Sequence, residues 1–254
     1  MGKLLRPQDK ILLGLSLAGD VFEVLRDPAG LVSSSYEYMY GFVPYRYRRH
    51  NFEARLKRAL KTGYIEKIIK NGEAYYRLTG QGEEKLVRDF PIFALQRKPW
   101  DRKWRIVVFD IPEKSRKNRD YLRTKLYELG FGMLQESVWV TPFDITQDLR
   151  EYLKALSLEK NVFVFMAGRA FIGDEKKLAT MVWRLDKINQ EYQDIWDKWQ
   201  EERGALLGKE RTKAIKKLKD RFLEILMVDP LLPKELLPGN WLGGKVKKLI
   251  KSLV

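Results

Sequence analysis

The sequence of 254 residues contains no cysteine, which excludes disulfides, thiolate metal sites and a cysteine nucleophile. A single histidine, His50, argues against a Ser-His-Asp triad and against a multi-histidine metal centre. No run approaches the ~20 consecutive apolar residues of a membrane-spanning helix. Glycine (18) and proline (10) are sparse, and no repeat recurs at a period of about 20–50 residues, which argues against fibrous, solenoid and propeller architectures. The opening MGKLLRPQDKILLGLSLAGD starts basic, yet polar residues break its apolar run and no small-residue cleavage site follows. That pattern predicts a cytoplasmic protein with no membrane partner.

Positive charge is abundant. Forty-nine Lys plus Arg stand against 34 Asp plus Glu, a net charge of +15. A surplus of this size points to a polyanionic partner, double-stranded DNA above all, because neutralised phosphates release condensed counterions. The competing reading is a merely solvated basic surface. Hydrophobic residues make up 44% of the chain, enough for a sizeable core, and the length allows one to three domains.

Three segments differ in character, predicting domains at 1–95, 96–172 and 173–254. In the first, Ile11, Leu12, Leu15, Val21, Phe22 and Leu25 form a broad apolar helical face behind Pro7. Phe52, Leu56, Ala59 and Leu60 recur at helical spacing up to Gly63, a C-terminal cap. Two strand-like runs then flank Asn71-Gly72, a strong hairpin signal. Thr79 can cap a short helix over residues 82–87. Helices followed by a two-stranded wing are the layout of a winged helix-turn-helix.

In the second segment, the apolar run 104–109 reads as a central strand, stopped by Pro112. Helical spacing follows over 115–129, then strands at 131–135 and 137–141, a helix over 144–156 with Asp144 at its N-cap, and a strand at 161–166. The order βαββαβ is that of a ferredoxin-like sandwich, so the expected class is α+β. The third segment reads as helical, with apolar stripes at Leu178, Met181, Val182, Leu185 and Ile188 and at Ile215, Leu218, Phe222, Leu223 and Leu226. Between those stripes and the C-terminus lies DPLLPKELLPGNW, with three prolines in nine residues, a rigid connector that must pack on something.

WDRKWRIVVFDIPEKSRKNRDYLRTKLYELGFGMLQESVWVTP resembles the middle domain of PaaX-type transcriptional regulators, and DPLLPKELLPGNW is similar to that family's C-terminal signature. GYIEKIIKNGEAYYRLTGQG resembles its wing. The resemblance implies an N-terminal winged helix, a ferredoxin-like middle domain and a helical C-terminal domain. It implies a homodimeric repressor that releases DNA when an acyl-CoA-like effector binds. The middle domain is also similar to the small ferredoxin-fold endonuclease of CRISPR adaptation, whose aspartate matching Asp110 helps hold magnesium across a dimer. Where regulators of the family carry an Arg-Thr pair in the recognition helix, this chain has Glu53-Ala54. A glutamate there repels phosphate but can accept a hydrogen bond from cytosine.

The candidate DNA-binding residues are Arg46, Arg48, Arg49, His50, Arg55, Arg58, Lys61, Lys67 and Lys70. Between Phe42 and Lys70 nine Lys and Arg face two acids, Glu53 and Glu66. Arg55 and Arg58, three apart, share one helix face as base readers; Arg46, Arg48, Arg49 and Lys67 are expected to anchor phosphates. No cofactor is expected. Asp110 carries the alternative, a magnesium-dependent nuclease, against the plain reading of a strand-ending turn residue. Trp139 and Phe143 read as core or interface aromatics. Trp100, Trp104 and Trp241 read either as core or as the lining of a ligand cleft.

Overall fold

The computed structural model describes residues 48–89 except 71, 99–168, 173–204, 207–226 and 228–253, with isolated residues between 15 and 43. These fall into two compact units. One is built on Leu86–Leu185 and Pro230–Gly239, the other on Arg6–Lys85, Asp186–Asp229 and Asn240–Val254.

The first unit holds a four-stranded sheet formed by β3 (Trp104–Phe109), β4 (Gly132–Gln135), β5 (Val138–Thr141) and β6 (Val162–Ala167); β1 (Ile65–Lys70) and β2 (Glu73–Leu78) belong to the second unit. Helix α3 (Arg116–Glu128) joins β3 to β4, and α4 (Thr146–Ala155) joins β5 to β6. The sheet order is β4-β5-β3-β6 with every pair antiparallel. This is the βαββαβ arrangement expected from the sequence. Leu122 and Leu126 of α3, Leu149 and Leu153 of α4, and Val107 of β3 are buried together as its core. Tyr152 donates its hydroxyl to the Tyr121 carbonyl (3.1 Å), tying α4 to α3. Trp139 and Phe143 belong to this core.

Directly opposed residues of antiparallel strands share a face. Gly132, Val140, Ile106 and Phe165 are thus neighbours on one side of the sheet. Helix α5 (Glu175–Trp183) lies against that side at Gly132, where an added Cβ would meet Val182 Cγ1 at 2.0 Å and Trp183 at 2.8 Å. Trp183 also stacks on Trp104 (6.3 Å), whose indole donates to Glu175 (3.0 Å), and Trp100 meets Trp104 edge-on. The Asp174 carboxylate caps α5 by accepting from the amides of Lys176 and Lys177. The connector turn Lys234–Leu236 packs on α5 and buries Leu232 and Leu236.

Two sequence expectations shift here. The helix after Asp144 takes Ile145 as its N-cap; the Asp144 carboxylate accepts from Thr146 and faces Arg105. The apolar stripe from Leu178 to Ile188 does not run along one helix. Arg184, at φ 53°, closes α5 through its amide to the Thr180 carbonyl, and α6 (Leu185–Glu202) starts anew. Met181 is consequently exposed, whereas Leu185 and Ile188 are buried.

In the second unit α6, α7 (Gly208–Leu226) and α8 (Gly243–Ser252) form the C-terminal helices. Leu218, Phe222, Leu223 and Leu226 are buried along α7 as the spacing predicts. The end of the proline-rich signature is fastened to α6. Asn189 donates to the Asn240 carbonyl (3.2 Å) and accepts from the Leu242 amide (2.8 Å), while Trp241 meets Tyr192 edge-on at 5.6 Å. Gly243 is required there, because a Cβ would stand 2.7 Å from Trp241 Nε1 and 2.9 Å from Tyr192 Cε2.

Candidate nucleic-acid interface

Helix α1 (Arg49–Lys61) is followed by the hairpin of β1 (Ile65–Lys70) and β2 (Glu73–Leu78), then by α2 (Gly80–Asp89). The strands pair antiparallel from Ile65↔Leu78 to Lys70↔Glu73, leaving a two-residue turn with Gly72 at φ +77°. That left-handed conformation is what the Asn-Gly signal called for. Gly63, at φ +73°, lets the chain turn out of α1. The Tyr64 amide donates to the Ala59 carbonyl (3.2 Å), and the Thr79 hydroxyl donates to the Gly63 carbonyl (2.6 Å). Thr79 Oγ1 also accepts from the Gly82 amide (3.2 Å), as expected of a cap. Gly82 sits so close to the Tyr64 carbonyl that a Cβ would lie 2.1 Å from its oxygen. These contacts fix the hairpin and α2 onto the end of α1, with Ala59 and Ile65 buried at the junction.

The outward side of α1 is cationic. Ala54, Lys57, Arg58 and Lys61 are exposed at positions i, i+3, i+4 and i+7, opposite buried Ala59. Arg48 is exposed just ahead of the helix, and Lys67 and Lys70 are exposed on β1. Glu66, the hairpin's acid on that strand, is paired with Arg77 directly across the ladder. Its charge is thereby cancelled locally, and Lys67 remains without an ion pair among the described residues. Lys57, one of the nine cations between Phe42 and Lys70 but not among the candidate DNA-binding residues, belongs to the same exposed row as Arg58 and Lys61. Arg49, His50 and Arg55 lie on α1, Arg55 one turn before Arg58. Arg46 lies outside the described residues.

Asp110 belongs to the other unit. It is exposed at the end of β3, its amide donating to the Asn161 carbonyl (3.0 Å) and its carbonyl accepting from Asn161 Nδ2 (3.0 Å). The nearby Glu113 carboxylate is held by Arg119 at 2.7 Å. Among the described residues no three carboxylate or imidazole side chains cluster as metal ligands. Asp110 would therefore bring one uncommitted carboxylate to a magnesium ion. Trp100 packs edge-on against Trp104, which stacks on Trp183, while Trp241 packs on Tyr192.

Buried charge in the sheet unit has a structural role. Arg105 is 3% exposed, and its Nη1 and Nη2 reach Asp101 Oδ1 and Oδ2 at 2.8 and 2.6 Å. The hydrogen bonds from Arg105 hold the Asp101 carboxyl below its usual range. Lys125, also buried, lies over the Tyr152 ring at 5.7 Å. Periodicity places both cations in core positions, but their charge gave no sign that they would be enclosed.

Comparisons with known proteins accord with this architecture. Residues 97–179 match the family model for the PaaX protein central Cas2-like domain, and residues 183–254 match that for the PaaX-like protein C-terminal domain. The transcriptional repressor PaaX of Escherichia coli (strain K12) is 26% identical over 205 residues, which span 76% of this chain and 64% of the repressor. The chain thus matches a little under two thirds of that relative's length. In fold, an uncharacterized protein of Mycobacterium tuberculosis superposes with a TM-score of 0.51 at 19% identity, covering 95% of this chain and 92% of that one. The two PaaX domain models together span more than half of the chain, so the chain belongs to the PaaX family.

Proposed function

We propose that this chain is a sequence-specific DNA-binding transcriptional repressor that acts as a homodimer in the cytoplasm. In this reading α1 is the recognition helix of a winged helix-turn-helix domain spanning residues 1–95, and β1–β2 is its wing. The sheet domain and the C-terminal helices dimerise and sense a small acidic effector of the acyl-CoA type. The observation that carries the reading is the exposed cationic row Lys57, Arg58 and Lys61 on a helix whose end is fixed to the hairpin carrying Lys67. A helix presenting one charged side, next to a basic hairpin, suits major-groove entry with flanking phosphate contacts. The 26% identity to a transcriptional repressor supports the same assignment.

The test is selection of binding sites from a random duplex pool with magnesium present, read on a denaturing gel. A palindrome whose half-sites lie about one helical turn apart, or a multiple of it, is the expected product. Preference over random DNA should reach roughly 10³ or more. Arg58→Ala should weaken binding to the selected site, and an aryl-CoA thioester should release it. Uncut DNA with no enriched site would overturn the reading. Cut products that vanish in Asp110→Ala would replace it with a magnesium-dependent nuclease.

A further inference from the structure

The three C-terminal helices segregate their charge. Helix α6 carries six acids and two lysines, α7 seven Lys and Arg against three acids, and α8 four lysines and no acid. Acids on α6 are partly occupied along their own helix, Asp194 by Gln190 (2.9 Å) and Asp197 by Gln193 (2.7 Å). The ion pair of Arg221 with Glu191 joins α7 to α6. Further toward its start, α7 exposes Lys209, Lys213, Lys216 and Lys217; α8 exposes Lys245, Lys248 and Lys251, three residues apart, opposite buried Val246 and Ile250. None of these seven lysines makes an ion pair among the described residues. Like charges at i, i+3 and i+4 repel one another along a helix, so a purely solvated face would gain by interspersing acids, as α6 does with Lys187 and Lys198.

We infer that the lysine faces of α7 and α8 form a second duplex-binding surface, which contacts DNA phosphates without reading sequence. This rests on the DNA-binding reading above. DNA is favoured because α7 and α8 belong to the same compact unit as α1 and its basic hairpin. A lipid surface is disfavoured because the apolar side of α8 is already buried, leaving no free face to insert. The surface adds electrostatic, salt-sensitive affinity and lengthens the protected stretch of duplex.

The experiment measures binding of the full chain to a random-sequence duplex across a salt series. Two independent variants are compared with wild type: Lys213→Gln/Lys216→Gln/Lys217→Gln and Lys245→Gln/Lys248→Gln/Lys251→Gln. Glutamine retains helix propensity and the side chains are exposed, so unchanged thermal melting is the accompanying control. Each lost phosphate contact lowers the slope of log K against log salt by about 0.9. At least one variant should therefore lose about one to three units of slope and bind at least tenfold more weakly, with sequence preference on a selected site unchanged. Slopes equal to wild type in both variants, with Arg58→Ala still weakening binding, would overturn the inference and leave the repressor reading standing. Wild type that binds no duplex at any salt would overturn both. Binding of the lysine faces to phosphatidylserine vesicles with an unaltered DNA slope would also overturn it.

Discussion

The hydroxyl of Tyr192 on α6 donates to the Asp229 carboxylate across 37 residues of sequence, at 2.8 Å. Burial, with the Asp229 charge adding to it, pushes the phenol's pKa well up. A phenol whose folded pKa lies above its unfolded value of about 10 contributes stability that is intact below that pH and lost as pH rises above it.

Melting of the wild-type chain should therefore fall off more steeply above pH ~10 than that of Tyr192→Phe. At neutral pH the variant should be less stable by about 1–3 kcal/mol, since a hydrogen bond to a charged acceptor is removed. Thermal melts of the two proteins at pH 7 and pH 11 provide the comparison. Parallel alkaline losses would show that this phenol does not govern the transition.

Asp101 and Arg105 predict the opposite pH limb. The bidentate pair holds the Asp101 carboxyl below its usual range. Its contribution is present above the ordinary carboxylate pKa of about 3.9 and is lost as pH falls through the lower folded value. Asp101→Asn should lower stability at neutral pH and flatten the loss below pH ~4. The neutral-pH loss arises because buried Arg105 keeps only the more distant, exposed Asp144 as a charged partner. Denaturant titrations at pH 7 and pH 3 test both parts.

Gly82→Ala changes no cation, yet it should weaken DNA binding. Its Cβ would press on the backbone oxygen of Tyr64, which cannot rotate away. Overpacking of this kind costs roughly 1–3 kcal/mol and would loosen the hairpin from α1. Faster amide exchange in β1 and β2, together with weaker binding, is the expected pair of results. Weaker binding with unchanged exchange would assign Gly82 a different role.

Phe163 and Phe165 on the edge strand β6 stack on each other while 59% and 54% exposed, beside Met166. Among the described residues no strand pairs with the outer side of β6; exposed apolar clusters on such an edge are costly for a monomer, and under the proposed homodimer they are covered by a second copy. Phe163→Asp/Phe165→Asp should halve the mass seen by sedimentation equilibrium. An unchanged dimer mass would place the interface elsewhere.

Local signals in the sequence were sufficient for much of this architecture. Asn71-Gly72 between two strand-like runs specified the hairpin, because few residue pairs tolerate its tight turn. The apolar run 104–109 and the succession of strands and helices after it specified the ferredoxin-like order, and Gly63 marked the end of α1. The density of Lys and Arg after Phe42 singled out a candidate DNA-binding segment, and helical periodicity put Arg55 and Arg58 on one face of its helix.

Only tertiary structure decided how these parts are covered. Arg184 carries no glycine or proline signal, yet it breaks the C-terminal helix pattern, since left-handed backbone at that point lets α5 stop against the sheet. Gly132 reads as an ordinary strand residue until Val182 and Trp183 arrive from fifty residues away and occupy the space its side chain would fill. The enclosure of Arg105 and Lys125, like the bond from Tyr192 to Asp229, depends on partners distant in sequence or on surrounding packing. Periodicity reports which side of an element is apolar; which surface comes to lie against it follows from the folded chain.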